Sequence, residues 1–177
     1  MPKDTLDRAL FALLLLSLAA LPVVLAGEDS SAGRRGGDKA MERRMAYQAR
    51  VELLRRVYAP VETLRDQGRL PEALLKLDQL ARQYPQEAHG HILKGEILGR
   101  MGSLDQAVAS YVQGVRLNAD YVDDKSPLSR RSEIEKTAEE GVRAIGADLK
   151  LYPENRSLAA ALKNVNYLRS RLAGGCE

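Results

Sequence analysis

Apolar and polar residues along this chain recur with helical periods, after one opening run that has no period at all. Residues 9–26 read ALFALLLLSLAALPVVLA, without a single charge, preceded by Lys3 and Arg8 and followed by GEDSSAGRRGG. A run without a polar face is not a core helix, so it addresses the chain to a membrane. Two outcomes stay open. Val24 and Ala26 supply the small residues of a signal-peptidase site, with Pro22 breaking the helix just before them, and the same run is long enough to remain as a single-pass anchor. Residues 27–38, rich in Gly, Ser and charge, read as a flexible linker. Beyond them, over 39–58, Met41, Met45, Ala49, Leu53 and Val57 advance by four and predict an amphipathic helix. Pro60 predicts a kink or break near Ala59. Leu74, Leu77 and Leu80, and later Val108, Tyr111 and Val115, recur at spacings of three and four and predict two further helices. Asn155 is placed to cap a last helix, 156–172, carrying Leu158, Leu162, Val165, Leu168 and Leu172 on one stripe and ended by Gly174 and Gly175.

The chain also matches itself at one constant offset. Gly68 falls on Gly102, Leu70 on Leu104, Ala73 on Ala107, Leu74 on Val108 and Leu77 on Tyr111. A glycine between two helices can take the left-handed conformation that reverses the chain, and the small Ala73 and Ala107 let the paired helices approach. Carried further, the offset takes Pro85 to Ala119 and then to Pro153, and sets Val142, Ile145, Leu149 and Leu151 on Val108, Tyr111, Val115 and Leu117. In this third unit Lys136 replaces the turn glycine, and Asp123, Asp124 and Pro127 oppose a first helix. The expectation is a loop over 120–126, then a helix capped by Ser126, begun by Pro127 and continuing to about residue 151.

The segments QGRLPEALLKLDQLARQYPQE and MGSLDQAVASYVQGVRLNADY resemble the second half of the tetratricopeptide repeat. The period of that repeat, about 34 residues, equals the step from Gly68 to Gly102. The resemblance implies an all-α fold, a short right-handed solenoid of helical hairpins. Its repeats cover about 54–87 and 88–121, with a degenerate unit 122–155, the capping helix 156–172 and a tail 174–177, all but the tail in a helical domain of 39–173. It also implies a concave groove lined by the first helix of each hairpin. In the glycine register those positions are Arg55, Tyr58, Glu62, Arg65 and Asp66, then His89, Ile92, Glu96, Gly99 and Arg100. A groove of mixed sign suits an extended or helical peptide. Gly68, Ala73, Pro85, Gly102, Ala107 and Pro153 serve the repeat framework itself.

Charge and chemistry narrow the function by what they lack. Lys and Arg number 27 against 24 acidic residues, and the signs intermingle, which is a solvated helical surface and not a nucleic-acid footprint. Cys176 is the one cysteine, so the fold is held by packing without an internal disulfide. His89 and His91 lie two positions apart, which sends them to different sides of a helix, with no Cys or carboxylate cluster at ligand spacing. His91, at a position the repeat normally fills with a packed aromatic, reads as a partly buried structural imidazole. Glu139 and Glu140, and Asp123 and Asp124, read as solubilising charge. No nucleophile, base and orienting group, phosphate loop or metal cluster can be assembled, so neither an enzyme nor a cofactor is expected.

Basic residues are sparse before the apolar run (Lys3, Arg8, beside Asp4 and Asp7) and denser after it (Arg34, Arg35, Lys39, Arg43, Arg44). The positive-inside rule alone would then hold the domain in the cytoplasm. Export is the preferred expectation, with the domain in the periplasm or on the periplasmic face of the inner membrane. The expected role is that of a non-enzymatic adaptor binding a protein or peptide partner during assembly of an envelope or respiratory complex. The alternative is a self-associating structural subunit. Specificity is expected in the groove over 58–100 and in the atypical stretch 121–131.

Overall fold

In the computed structural model residues 39–174 are described, and every regular element among them is helical. The apolar run 9–26, the stretch 27–38 and Cys176 lie outside the described residues, among which no helix is long and apolar enough to cross a membrane. Contacts divide the chain into two units, 1–50 and 51–177. In the first, residues 39–50 are helical, and Tyr47 alone among them is half-buried, the rest being exposed.

The second unit begins with α1, residues 51–66. Its buried stripe is Val51, Leu54, Tyr58 and Val61, at alternating steps of three and four. The stripe expected from steps of four is corrected: Met41, Met45, Ala49 and Leu53 are exposed and Val57 is half-buried. A constant step of four turns about 40° further round the helix each time, so it cannot hold one face over five members. The break expected near Ala59 is absent too, the conformation being helical at every position from 51 to 66. Pro60 is exposed, while Tyr58 and Val61 on either side of it are fully buried. Packing there outweighs the lost backbone donor.

Five further helices and a 3-10 turn follow: α2 Leu70–Gln83, α3 Ala88–Arg100, α4 Leu104–Leu117, the turn Ala119–Val122, α5 Arg131–Leu151 and α6 Arg156–Leu172. The offset seen in the sequence recurs in their backbone. After α1, Arg69 N–H reaches back to Leu64 O at 2.9 Å across Gly68 (φ 75°), and after α3, Ser103 N–H reaches Leu98 O at 2.9 Å across Gly102 (φ 82°). Both turns are of the Schellman kind, in which a residue at positive φ lets the chain satisfy carbonyls of the last turn. The ends of α2, α4 and α5 are also one offset apart, with Tyr84 N–H bonded to Leu80 O, Asn118 N–H to Gly114 O and Tyr152 N–H to Asp148 O.

The core centres on the α3/α4 hairpin, against which α2, α5 and α6 pack. Close approach is secured by small residues. Ala73 and Ala107 are fully buried, and a Cβ on Gly95 would lie 2.9 Å from the Tyr111 ring, so the tyrosine fills the space a side chain would take.

The start of α5 differs from expectation. The helix begins at Arg131, not at Pro127, and Ser126 closes a turn in which its Oγ accepts from Leu128 N–H at 3.1 Å. Leu128 is buried and Arg130 N–H bonds to Tyr121 O at 2.9 Å, which holds 123–130 as a packed loop. In α5, Ile145 is buried, Val142 and Leu149 are half-buried, and Leu151 is exposed. At the last helix, Asn155 accepts from Ser157 and Leu158 N–H as a cap should, and Val165, Leu168 and Leu172 are buried.

Candidate functional site

α1 and α3 lie side by side and carry the ten groove positions, but these divide into a floor and a rim. Tyr58, His89 and Ile92 are buried and form the floor. Tyr58 and His89 meet edge to face with ring centroids 4.9 Å apart, and His89 Nδ1 lies 2.8 Å from the Tyr121 hydroxyl of the 3-10 turn. Ile92 points at α4, where its Cδ1 occupies the place a Cβ on Gly114 would take. Gly99 is half-buried beside Ala107 and Thr137. The stretch after α4 therefore packs over the His89 end of α3.

His91 is half-buried, as expected, and His89 is the fully buried imidazole. Burial, reinforced by the cationic Arg130 and Arg65, pushes the His89 pKa down to about 4, so the ring is neutral near neutral pH. Its Nε2 is buried without a hydrogen-bond partner. Burial, then the Glu87 carboxylate, pushes the Tyr58 hydroxyl up to about 12. Neither group is poised to exchange a proton at neutral pH.

The rim is ionic. Arg65 Nη1 donates to Glu96 Oε2 at 2.8 Å and its Nε to Asp66 Oδ1 at 2.9 Å, while Arg100 Nη2 donates to Glu96 Oε1 at 3.1 Å and its Nη1 approaches Asp66 at 3.8 Å. Arg65 and Glu96 are largely buried, whereas Asp66 and Arg100 remain open to solvent. The hydrogen bond from Arg65 holds the Asp66 carboxyl below the usual carboxylate range. Glu62 is reached by Arg130 Nη2 at 3.5 Å, from far along the chain, and Arg55 is exposed. Such crossed pairs fix the side chains of α1 and α3 in register and leave both signs presented along one edge.

A second concavity lies between α2, α3 and α4, a cleft of about 320 Å³ walled by Tyr84, Pro85, His91, Lys94, Gln106 and Gln113. Lys94 Nζ stands 3.6 Å from Asp78 Oδ1 across it. Burial, then Lys94, lowers the His91 pKa. Among the described residues no three His, Cys, Asp or Glu gather as metal ligands would.

Sequence spacing did not point to the union of Tyr58, His89 and Tyr121 or to the Glu62–Arg130 pair. The one signal was indirect: the irregular stretch keeps Tyr121, Val122 and Leu128, and all three are buried. No model of a known protein family, no curated protein and no solved structure matches the chain.

Proposed function

We propose that this chain is a non-enzymatic interaction module, a short solenoid of tetratricopeptide-like hairpins delivered to the bacterial cell envelope by residues 9–26, where it holds a partner protein or peptide. The observation that carries the reading is the recurrence, at one constant offset, of the Gly68 and Gly102 turns, the buried Ala73 and Ala107 and the ends of α2 and α4. Repetition of that kind builds an elongated surface instead of a closed pocket. The partner is assigned to the ionic edge of α1 and α3, at Arg55, Asp66 and Arg100, with the α2–α3–α4 cleft as a second contact. The edge is ordered before binding, which lowers the entropy a partner must overcome.

A second reading, self-association, is favoured by the far end of the fold. There Val142, Leu149 and Leu162 line an open apolar cleft, and Leu151 and Tyr152 are 72% and 64% exposed. One experiment separates the two. Two differently tagged copies are co-expressed, and one is purified from gently solubilised membranes. The adaptor reading predicts a distinct protein that is lost from the Arg55→Glu and Asp66→Lys variants, without the second tag. Recovery of the second tag alone would favour the structural subunit.

A further inference from the structure

The cleft between α2, α3 and α4 has at its floor a polar group that comes from outside those helices. Tyr58 belongs to α1 and is only 1% exposed, yet it lines this cleft together with Gly90 of α3. A Cβ on Gly90 would stand 3.1 Å from the Tyr58 hydroxyl oxygen and 3.6 Å from its Cε1, so the missing side chain is what opens the hydroxyl to the cleft. Among the described residues that hydroxyl has no hydrogen-bond partner. Nearly all polar groups so deeply placed are paired, so this one points to a group arriving from outside.

The surroundings of the hydroxyl select the chemistry of that group. Burial, then Glu87 and Tyr84, raise the Tyr58 pKa, so near neutral pH the hydroxyl keeps its proton and has lone pairs to offer. Glu87 accepts from His89 N–H at 3.5 Å, and a carboxylate has acceptor capacity beyond one such bond. Ala81 and Tyr84 line the cleft from the last turn and cap of α2, the negative end of that helix. Burial, then Lys94, lowers the His91 pKa, so two carboxylates, Asp78 and Glu87, face a single cation, Lys94, which Asp78 holds at 3.6 Å. An anion would meet this surplus, and an apolar guest would leave the hydroxyl unanswered. A long cationic side chain satisfies both, with its stem along Leu77, Ala81 and the Tyr84 ring. A cleft of about 320 Å³ admits such a side chain and not a helix, which is about 10 Å across. We propose that this cleft is a socket for one lysine or arginine side chain of the bound partner, whose charged end is received by the Tyr58 hydroxyl and the Glu87 carboxylate. The inference rests on the partner reading for the source of that side chain, while the socket can be tested without the partner.

The test titrates the full chain, isotope-labelled in detergent micelles, with capped tripeptides that carry arginine, lysine, norleucine or glutamate between two alanines. The arginine and lysine peptides should shift the Gly90 and His91 amide resonances, and the other two should bind at least about tenfold more weakly. Tyr58→Phe keeps the ring and removes only the oxygen, and should weaken the cationic peptides about tenfold. Gly90→Ala covers the hydroxyl with a methyl group and should do the same, whereas Gly146→Ala, in α5, should leave their binding unchanged. The dispersion of the remaining amide signals shows that each variant is folded. Equal binding of the norleucine and lysine peptides, tighter binding of the glutamate peptide, no shift with any peptide, or undiminished affinity in folded Tyr58→Phe would each overturn the socket. None of these results bears on crosslinking from the ionic rim. Loss of partner crosslinks there beside an intact lysine or arginine response would overturn the partner reading and leave the socket's chemistry standing.

Discussion

The His89 ring is enclosed by Tyr58 of α1 and Tyr121 of the 3-10 turn, with Arg130 and Arg65 as the nearby cations. Its pKa, about 4 in the folded chain, returns to about 6.5 on unfolding. Between those values the unfolded chain takes up a proton that the folded chain refuses. Stability is therefore complete above pH 6.5 and falls as the pH drops towards 4, by up to about 1.4 kcal/mol per pH unit. Urea midpoints at pH 7 and pH 4.5 measure this, and the loss should be smaller in His89→Asn than in His91→Gln, since His91 shifts in the same direction but is only half-buried. An undiminished acid dependence in His89→Asn would contradict the placement of this ring. The repeat register placed His91 as a partly buried imidazole, as it is, but gave no sign that the His89 ring would be buried. α3 buries Ala88, His89, Ile92, Leu93, Gly95, Ile97 and Leu98, which occupy nearly its whole circumference, so it has no broad polar face from which to set the phase.

At the scale of the elements, the turn glycines and the helix glycines make opposite predictions. Gly102 sits at φ 82° with open space around its Cβ direction, so Gly102→Ala gains no clash and loses about 1 kcal/mol to backbone strain. Gly146 lies inside α5 with nothing within 4 Å of a new Cβ, so Gly146→Ala should gain about 0.5–1 kcal/mol. Thermal unfolding of the two variants reads the contrast, and a stabilised Gly102→Ala would count against the turn geometry. The hairpin turns and the Asn155 cap were legible because each rests on a local rule that one residue type satisfies. Pro60 and Ser126 misled because their local rules were overruled. The buried Tyr58 and Val61 carry the helix past the proline, and the buried Leu128 with the Arg130–Tyr121 bond delays α5 beyond the serine. Tertiary contact from distant sequence decided both, and a window of a few residues cannot contain it.

For the whole molecule, the repeat offset anticipated where helices end but not what their shared face would hold. An open groove was expected, yet Tyr121 and Arg130 return from the irregular stretch to His89 and Glu62, leaving the ionic rim as the exposed part. The two stretches expected to supply specificity thus form one surface. Its proposed role in binding is tested most directly by placing a photo-crosslinking amino acid in the full chain, in intact membranes, at Arg55, Asp66 or Arg100 on the rim, and at Gln79 on the exposed side of α2 as the comparison. The account predicts an adduct with one other protein, of the same mass from the three rim positions and missing from position 79. Adducts from position 79 alone, or none from the rim while the protein remains folded in its membrane, would contradict it.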